Sequence, residues 1–179
     1  MNKIKYLVVI AAAAVIAVSS PAFAKEMKIA HANLQRALNE SDAGAKAKDL
    51  LEEAAKKLED ELNVEQEVLK KMKEEIDKMA AIWNKETRDA KDEEFRARSQ
   101  AFQKKYVEYG EELNNKKQER ENAIIEDLRV IVDEMAKKKG YSYVFERSMG
   151  GILYAPPSDD LTNEIIKTYN KSFAEKQKK

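Results

Sequence analysis

Residues 51–83 read LEEAAKKLEDELNVEQEVLKKMKEEIDKMAAIW. On a heptad template, apolar or small residues recur along this stretch at alternating spacings of four and three, and Glu65 is the one polar interruption. That spacing places a stripe of side chains along one face of a helix, which is typical of a helix packed lengthwise against another helix. The stripe consists of Leu51, Ala55, Leu58, Leu62, Glu65, Leu69, Met72, Ile76, Met79 and Trp83.

A second stripe follows at Phe95, Ser99, Phe102, Tyr106, Tyr109 and Leu113. Between the two stripes, residues 84–94 contain a single small apolar residue, Ala90. We therefore predict a long antiparallel helical hairpin, a coiled-coil arm over residues 44–119 that turns near residues 84–90. An outgoing limb of ~40 residues would be ~60 Å long. One unbroken helix in an intermolecular coiled coil is the alternative that the pattern leaves open.

The first 24 residues have the pattern of an export signal. Basic residues in Asn2–Lys5 precede an apolar run over Leu7–Val18, and Pro21–Ala24 supplies small residues for cleavage. We expect a signal peptide over residues 1–24 that is cleaved after Ala24, which gives a periplasmic protein. Loss of Lys3 and Lys5 leaves 31 basic against 33 acidic residues, so the mature chain is close to neutral. The chain has no cysteine, so no disulfide supports it in that compartment.

The residues on either side of the arm, 25–43 and 120–179, predict a small β-rich base. Lys25–Asn33 indicates one strand, while Tyr141–Arg147 and Ile152–Ala155 predict a hairpin around the turn at Ser148–Gly151. A three-stranded sheet in a unit this small has a poor core and open edges. We therefore expect the base to oligomerise in a closed ring.

The sequence offers no pattern typical of an enzyme. His31 is the single histidine, and its place on a strand favours a structural role over general-base catalysis. The five glycines form neither a phosphate-binding loop nor a dinucleotide-binding motif. A near-neutral exported chain is also a poor candidate for nucleic-acid binding. We expect no enzymatic activity, no cofactor and no metal site.

Three segments resemble the Skp/OmpH family of periplasmic chaperones. They are KIAHANLQRALNES at residues 28–41, KGYSYVFERS at residues 139–148 and GILYAPPSDDLT at residues 151–162. The resemblance implies a homotrimer with a β-rich trimerisation base and three helical arms that enclose a cavity. It further implies ATP-independent binding of unfolded outer-membrane proteins. The alternative function is a structural coiled-coil spacer or adaptor of the envelope.

Three groups of residues follow from this interpretation. Adaptable apolar side chains near the arm tip are the candidates for client binding: Met72, Met79, Ile82, Trp83, Phe95 and Phe102. Basic residues near the tip are candidates for contact with acidic chains or an anionic membrane surface: Arg88, Lys91, Arg96 and Arg98. Strand residues are the candidates for the trimer interface: Ile29, Val144, Phe145, Ile152, Leu153 and Tyr154.

Gly110 lies inside the predicted return limb, where glycine destabilises a helix by about 1 kcal/mol relative to alanine. The following residues 114–122 contain no apolar side chain, so this part of the arm should pack weakly. Two readings remain open. Gly110 is either a hinge in the arm or a site where the partner limb approaches closely.

Overall fold

The computed structural model of the chain describes residues 27–178. The predicted signal peptide, residues 1–24, lies outside the described residues. The described chain is mainly helical with a small sheet, which confirms the predicted fold class. In chain order the elements are β1 (Ile29–Ala32), α1 (Leu34–Glu40), α2 (Asp42–Met79), α3 (Lys85–Lys139), β2 (Tyr143–Glu146), a 3-10 helix (Pro157–Asp159) and α4 (Thr162–Lys176).

Helices α2 and α3 form the long hairpin that the two stripes predict. Ion pairs join Glu65 to Arg98 and Glu61 to Lys105. The residue number of the partner therefore rises along α3 as it falls along α2. The two limbs are therefore antiparallel. They contain 38 and 55 residues, which at 1.5 Å per residue gives lengths of roughly 57 and 82 Å.

The turn between the limbs lies at residues 80–84, so the predicted position at residues 84–90 was too late. Asn84 begins the second limb, because its side-chain oxygen accepts a hydrogen bond from the Thr87 amide at 2.8 Å. The charged residues that follow are helical. A helix end that projects into water needs no apolar stripe, so the interruption reflects solvation of the tip rather than chain reversal.

Both ends of the hairpin carry capping residues. The Ser41 hydroxyl accepts a hydrogen bond from the Gly44 amide at 3.2 Å and donates one to the Leu38 carbonyl at 3.2 Å. Gly140 ends α3 in the left-handed conformation, with φ of 71°, and its amide bonds to carbonyls of the last turn. These caps fix where α2 begins and where α3 ends.

The hydrophobic core lies in the base, not in the arm. There α3 contributes four buried side chains, which fit against β1, α1 and α4. Leu128 and Ile165 are fully buried, and burial of a side chain of this size stabilises the fold by about 2 kcal/mol. In the described part of the arm, beyond this cluster, only Ile76 is buried. The core cluster consists of Ala30, Ala32, Ala37, Leu38, Ala43, Ile124, Leu128, Ile131, Met135, Leu161, Ile165 and Tyr169.

The sheet of the described chain has two strands, so the predicted number of three was wrong. Strand β1 pairs with β2 in parallel, with Ile29 opposite Tyr143 and Ala32 opposite Glu146. Residues 152–155, predicted as the other strand of a hairpin, form no strand. Gly150 and Gly151 both adopt positive φ, 90° and 97°, and lead the chain away from β2 instead of back along it.

The chain instead reaches the other edge of β1. His31 and Asp160 form a parallel bridge there, and the Leu161 amide bonds to the His31 carbonyl at 2.9 Å. Strand β1 is therefore central. Within residues 27–178, β2 is paired along one edge only, so its other edge is free to accept a further strand.

Candidate functional site

The predicted client-binding residues occupy two different environments on the arm. Five of the six are half-buried, four along the packed faces of α2 and α3 and Trp83 in the turn, where they contribute to the contact between the limbs. Ile82 lies in the same turn but differs, because it is 73% exposed. It is the one member of the group that the hairpin presents fully to solvent. The half-buried five are Met72, Met79, Trp83, Phe95 and Phe102.

The four predicted basic residues near the tip also fall into two groups, one that forms ion pairs and one that is exposed. Arg98 pairs with Glu65 across the limbs at 2.6 Å, and Lys91 pairs with Glu94 along α3 at 3.0 Å. Arg88 and Arg96 are exposed and make no ion pair with another residue of the described range 27–178. Two of the four cations are thus engaged in holding the arm, and two face solvent.

The polar interruption of the first stripe is explained by a contact across the hairpin. Glu65 lies where an apolar residue is expected, and its carboxylate accepts a hydrogen bond from Arg98. That bond holds the pKa of Glu65 below its ordinary value, against the opposing effect of desolvation. One turn away, Glu61 accepts a hydrogen bond from the Tyr109 hydroxyl and pairs with Lys105 at 3.4 Å. The Tyr109 bond is the main cause of the lowered pKa of Glu61. These contacts set the register of the two limbs.

The packed face of α3 differs from the predicted stripe at one position, and this exposes two apolar residues. Lys105 is half-buried between the limbs, while Tyr106, predicted to lie on the packed face, is 64% exposed. Val107 beside it is 59% exposed. Sequence reasoning missed both residues, because a heptad template favours tyrosine over lysine at a contact position. The available signal was Glu61, an acidic residue on α2 that pairs with Lys105 on α3.

The predicted trimer-interface residues lie on the two strands of the base and on the loop that follows β2. Val144 packs against the core and Ile152 is half-buried, whereas Ile29 and Phe145 are about half exposed. The Phe145 ring stacks with that of Tyr143, with centroids 6.0 Å apart. Leu153 and Tyr154, at 98% and 83% exposed, extend from the loop that follows. The base thus presents exposed apolar side chains on its strands and on the loop after β2.

Comparisons with known proteins agree with this architecture. Residues 28–169 match the family described as "Outer membrane protein (OmpH-like)". The chain belongs to the OmpH-like family. A "Skp-like protein" of Pseudomonas aeruginosa is 33% identical over 177 residues, which cover 95% of this chain and 98% of that protein. The crystal structure of a candidate OmpH-like outer membrane chaperone from Caulobacter crescentus CB15 superposes with a TM-score of 0.76 at 16% identity, over 82% of this chain and 85% of that chain. Membership of the OmpH-like family indicates a chaperone role.

The structure also bears on the interpretation that Gly110 allows the partner limb to approach closely. A Cβ atom built at Gly110 would have no atom within 4 Å, so the glycine is not required for close approach of the limbs. The packing reading was therefore wrong. In the described residues, no group of His, Asp and Glu side chains is arranged to hold a metal ion. No helix in the described range is long and apolar enough to cross a membrane.

Proposed function

We propose that the protein is an ATP-independent periplasmic holdase that binds unfolded outer-membrane proteins between helical arms and prevents their aggregation. The observation that carries the proposal is the separation of the chain into a packed base and a long, solvated arm with exposed apolar side chains. Such an arm can offer weak contacts to many sequences without burying them in a fixed pocket. The 33% identity to a Skp-like protein over nearly the whole chain supports this assignment.

The proposal includes a homotrimer. Within residues 27–178, strand β2 has an unpaired edge. Phe145 on β2 is half exposed, and Leu153 and Tyr154 are exposed on the loop that follows β2. A strand or loop from a second copy would pair this edge and cover these side chains, and a closed ring would leave no edge unpaired. Arms that project from one base would then act together, so that weak contacts add by multivalency.

The proposal also places a hinge at Gly110. The glycine destabilises the helix, has no packing role, and precedes residues 114–122, which carry no apolar side chain. Bending there would let the arms fit clients of different size. If Gly110 is a hinge, Gly110→Ala slows amide exchange from Tyr106 to Asn122 and weakens binding of the largest clients most. Unaltered exchange across this segment would show that Gly110 is no hinge.

The competing function is a structural spacer or adaptor of the envelope. It shares the long hairpin, but it has no need for Ile82, Tyr106 and Val107 to face solvent. These side chains favour the holdase. The near-neutral net charge of the mature chain is compatible with an uncharged target. Arg88 and Arg96 are exposed, so they are available to contact an anionic membrane surface.

The test is dilution of a urea-denatured β-barrel outer-membrane protein into buffer without nucleotide. Light scattering should fall as the mature chain is added, and sedimentation equilibrium of the chain alone should give a trimer at micromolar concentration. Leu153→Asp tests the base separately from the arm, because an unpaired charge buried between copies should break up the trimer. Val144→Asp should do the same and should also destabilise the base, because Val144 packs against the core of its own chain. Scattering that is unaffected by a several-fold excess of chain would refute the holdase, and a monomer would refute the trimer.

A further inference from the structure

His31 is the single histidine of the chain, and the base buries it. Its neighbours in β1, Ala30 and Ala32, belong to the core cluster. Because successive side chains of a strand point to opposite faces of a sheet, His31 lies on the face away from that core. It is nevertheless only 3% exposed. Another part of the chain must therefore cover the ring on this side of the sheet.

The segment that leads from β2 to α4 provides this cover, and we call residues 147–160 the covering loop. The Pro156 carbonyl oxygen of this loop lies 3.3 Å from the Nε2 atom of His31. A carbonyl oxygen can only accept, so Nε2 carries the hydrogen in this bond. At the end of the loop Asp160 forms the parallel bridge to His31, and the next amide, that of Leu161, donates to the His31 carbonyl at 2.9 Å. His31 therefore holds the covering loop to β1 through both its ring and its backbone.

The other ring nitrogen of His31, Nδ1, is buried and has no hydrogen-bond partner among residues 27–178. In the neutral ring, with its hydrogen on Nε2, Nδ1 is an acceptor without a donor. A second proton would bind at Nδ1, turn it into a donor and give the ring a positive charge. A buried charge and a buried donor without an acceptor both cost free energy, so the protonated ring is not satisfied in the position that it occupies here.

Asp160 supplies a carboxylate beside the ring, because it is the partner of His31 in the bridge. Burial raises the pKa of Asp160, but hydrogen bonds from Thr162, with smaller contributions from His31 and Arg36, hold the pKa below its ordinary value. Asp160 is therefore ionised at neutral pH and would attract a protonated His31. In the described chain neither ring nitrogen bonds to Asp160, since Nε2 bonds to Pro156 and Nδ1 has no partner. Contact between the two side chains thus requires the ring or the covering loop to move.

The other charged groups on the elements around His31 offer the protonated ring less. On α1, Arg36 is itself a cation, which would oppose a charged ring, and it pairs with Glu40 at 3.8 Å. At the end of β2, Glu146 accepts hydrogen bonds from a serine hydroxyl and from backbone amides. On the 3-10 helix, Asp159 accepts one from the neighbouring serine at 3.2 Å. Asp160 is the acidic residue placed directly beside His31 on the sheet.

We propose that His31 is a pH switch of the base, in which protonation of the ring breaks its bond to Pro156 and loosens the covering loop. Histidine ordinarily changes its charge between about pH 5 and 8, so the response falls in that range. The consequence for assembly rests on the proposed function, because the covering loop carries Leu153 and Tyr154, which are exposed in the single chain and which the proposed trimer would bury. A loosened loop should therefore weaken association between copies.

Amide hydrogen exchange of the mature chain, without an affinity tag, tests the switch at about pH 7.5 and about pH 5.5, between which imidazole ordinarily gains its proton. After correction for the intrinsic effect of pH, the Leu161 amide should exchange about tenfold faster at the lower pH, the change expected for loss of one hydrogen bond. The Ser41 amide, which bonds to the Ala37 carbonyl, is the internal reference and should change less than about twofold.

His31→Gln is the matched control variant, because glutamine keeps a donor for the Pro156 carbonyl and does not ionise. Exchange of the Leu161 amide should respond to pH less than about twofold in this variant. An equal acceleration in the wild type and in His31→Gln would assign the response to other groups and overturn the switch.

The ring itself gives an independent measurement. Because the chain has one histidine, its ring resonances in an NMR spectrum need no assignment. The ring should take up a proton over the same pH interval in which Leu161 exchange accelerates. A ring that stays neutral down to about pH 5 would overturn the switch, and so would a ring that is protonated while Leu161 exchange stays constant. These wild-type measurements decide the question even if His31→Gln does not fold.

Sedimentation equilibrium separates the switch from the trimer. The dissociation constant of the wild-type trimer should rise about tenfold between the two pH values, and that of His31→Gln less than about twofold. A chain that is monomeric at both pH values while Leu161 exchange still accelerates would refute the trimer and leave the switch intact. A stable trimer whose Leu161 amide exchanges equally at both pH values would overturn the switch and leave the trimer intact.

Discussion

Two glycines in the arm should respond to alanine with opposite signs, and the comparison tests how α1 and α2 meet. A Cβ atom at Gly44 would lie 1.8 Å from the backbone carbonyl oxygen of Leu38. A backbone atom cannot rotate away as a side chain does, so α1 must move relative to α2. At Gly110 the same atom would meet nothing.

The magnitude follows from these two environments. A relaxed helical site gains about 1 kcal/mol from glycine-to-alanine substitution, so Gly110→Ala should raise the free energy of unfolding by that amount. At Gly44 the same gain is opposed by overpacking of about 1–3 kcal/mol or more, together with strain in the Ser41 cap. Gly44→Ala should therefore destabilise the chain by roughly 1–3 kcal/mol.

Thermal unfolding followed by circular dichroism measures both variants. For a chain of this size 1 kcal/mol corresponds to a shift in Tm of about 2–4 °C, so the two substitutions should move Tm in opposite directions. Samples are compared at one protein concentration, because oligomerisation makes Tm depend on it. A Gly44→Ala chain with an unchanged or higher Tm would refute the close contact between the Leu38 carbonyl and α2.

Three further predictions concern polar contacts. Ser41→Ala should lower stability by about 1 kcal/mol in urea unfolding, because the first turn of α2 loses its side-chain cap; no change would mean that water replaces the hydroxyl. Burial raises the pKa of Glu146, but hydrogen bonds from Ser148 and from backbone amides outweigh it and hold the pKa below the ordinary value of 4.5. Glu146 therefore stabilises the base above pH ~4.5, and this contribution is lost as pH falls. The Glu146→Gln variant should lose less Tm than the wild type when the pH is lowered into the acid range. An equal loss of Tm in both chains would contradict this. Arg98→Gln should lower Tm slightly at low salt and less at high salt, because its pair with Glu65 is partly exposed; an effect that is independent of salt would show that packing, not charge, is lost.

The sequence was sufficient to predict the arm because local rules determine it. The residues of an apolar stripe lie three or four positions apart, so the two stripes indicate helices without knowledge of tertiary structure. The turn was placed several residues late because charged residues at a free tip can be helical without packing. Lys105 rather than Tyr106 lies on the packed face, where it pairs with Glu61, a residue distant in sequence.

The base was harder to predict because its contacts join distant parts of the chain. β1 pairs with β2 across more than a hundred residues, and the Asp160 bridge on its other side follows from the positive φ of Gly150 and Gly151. An alternating segment such as Ile152–Ala155 has strand propensity, but a strand forms only where a partner edge is available. In the described chain this segment does not reach the free edge of β2, because the chain turns away at Gly150 and Gly151.

The distribution of buried residues connects stability to the proposed function. The core cluster lies in the base, where α3, α1, β1 and α4 meet, whereas the arm is held by half-buried contacts and partly exposed ion pairs. Segments with few buried apolar contacts open locally at low free energy, so the arm can bend or separate while the base stays folded. An arm that was as well packed as the base would have to hide Ile82, Tyr106 and Val107 or bind one shape only. The weak packing of the arm is therefore what a binder of varied unfolded chains requires, and the stable base is what keeps its arms together.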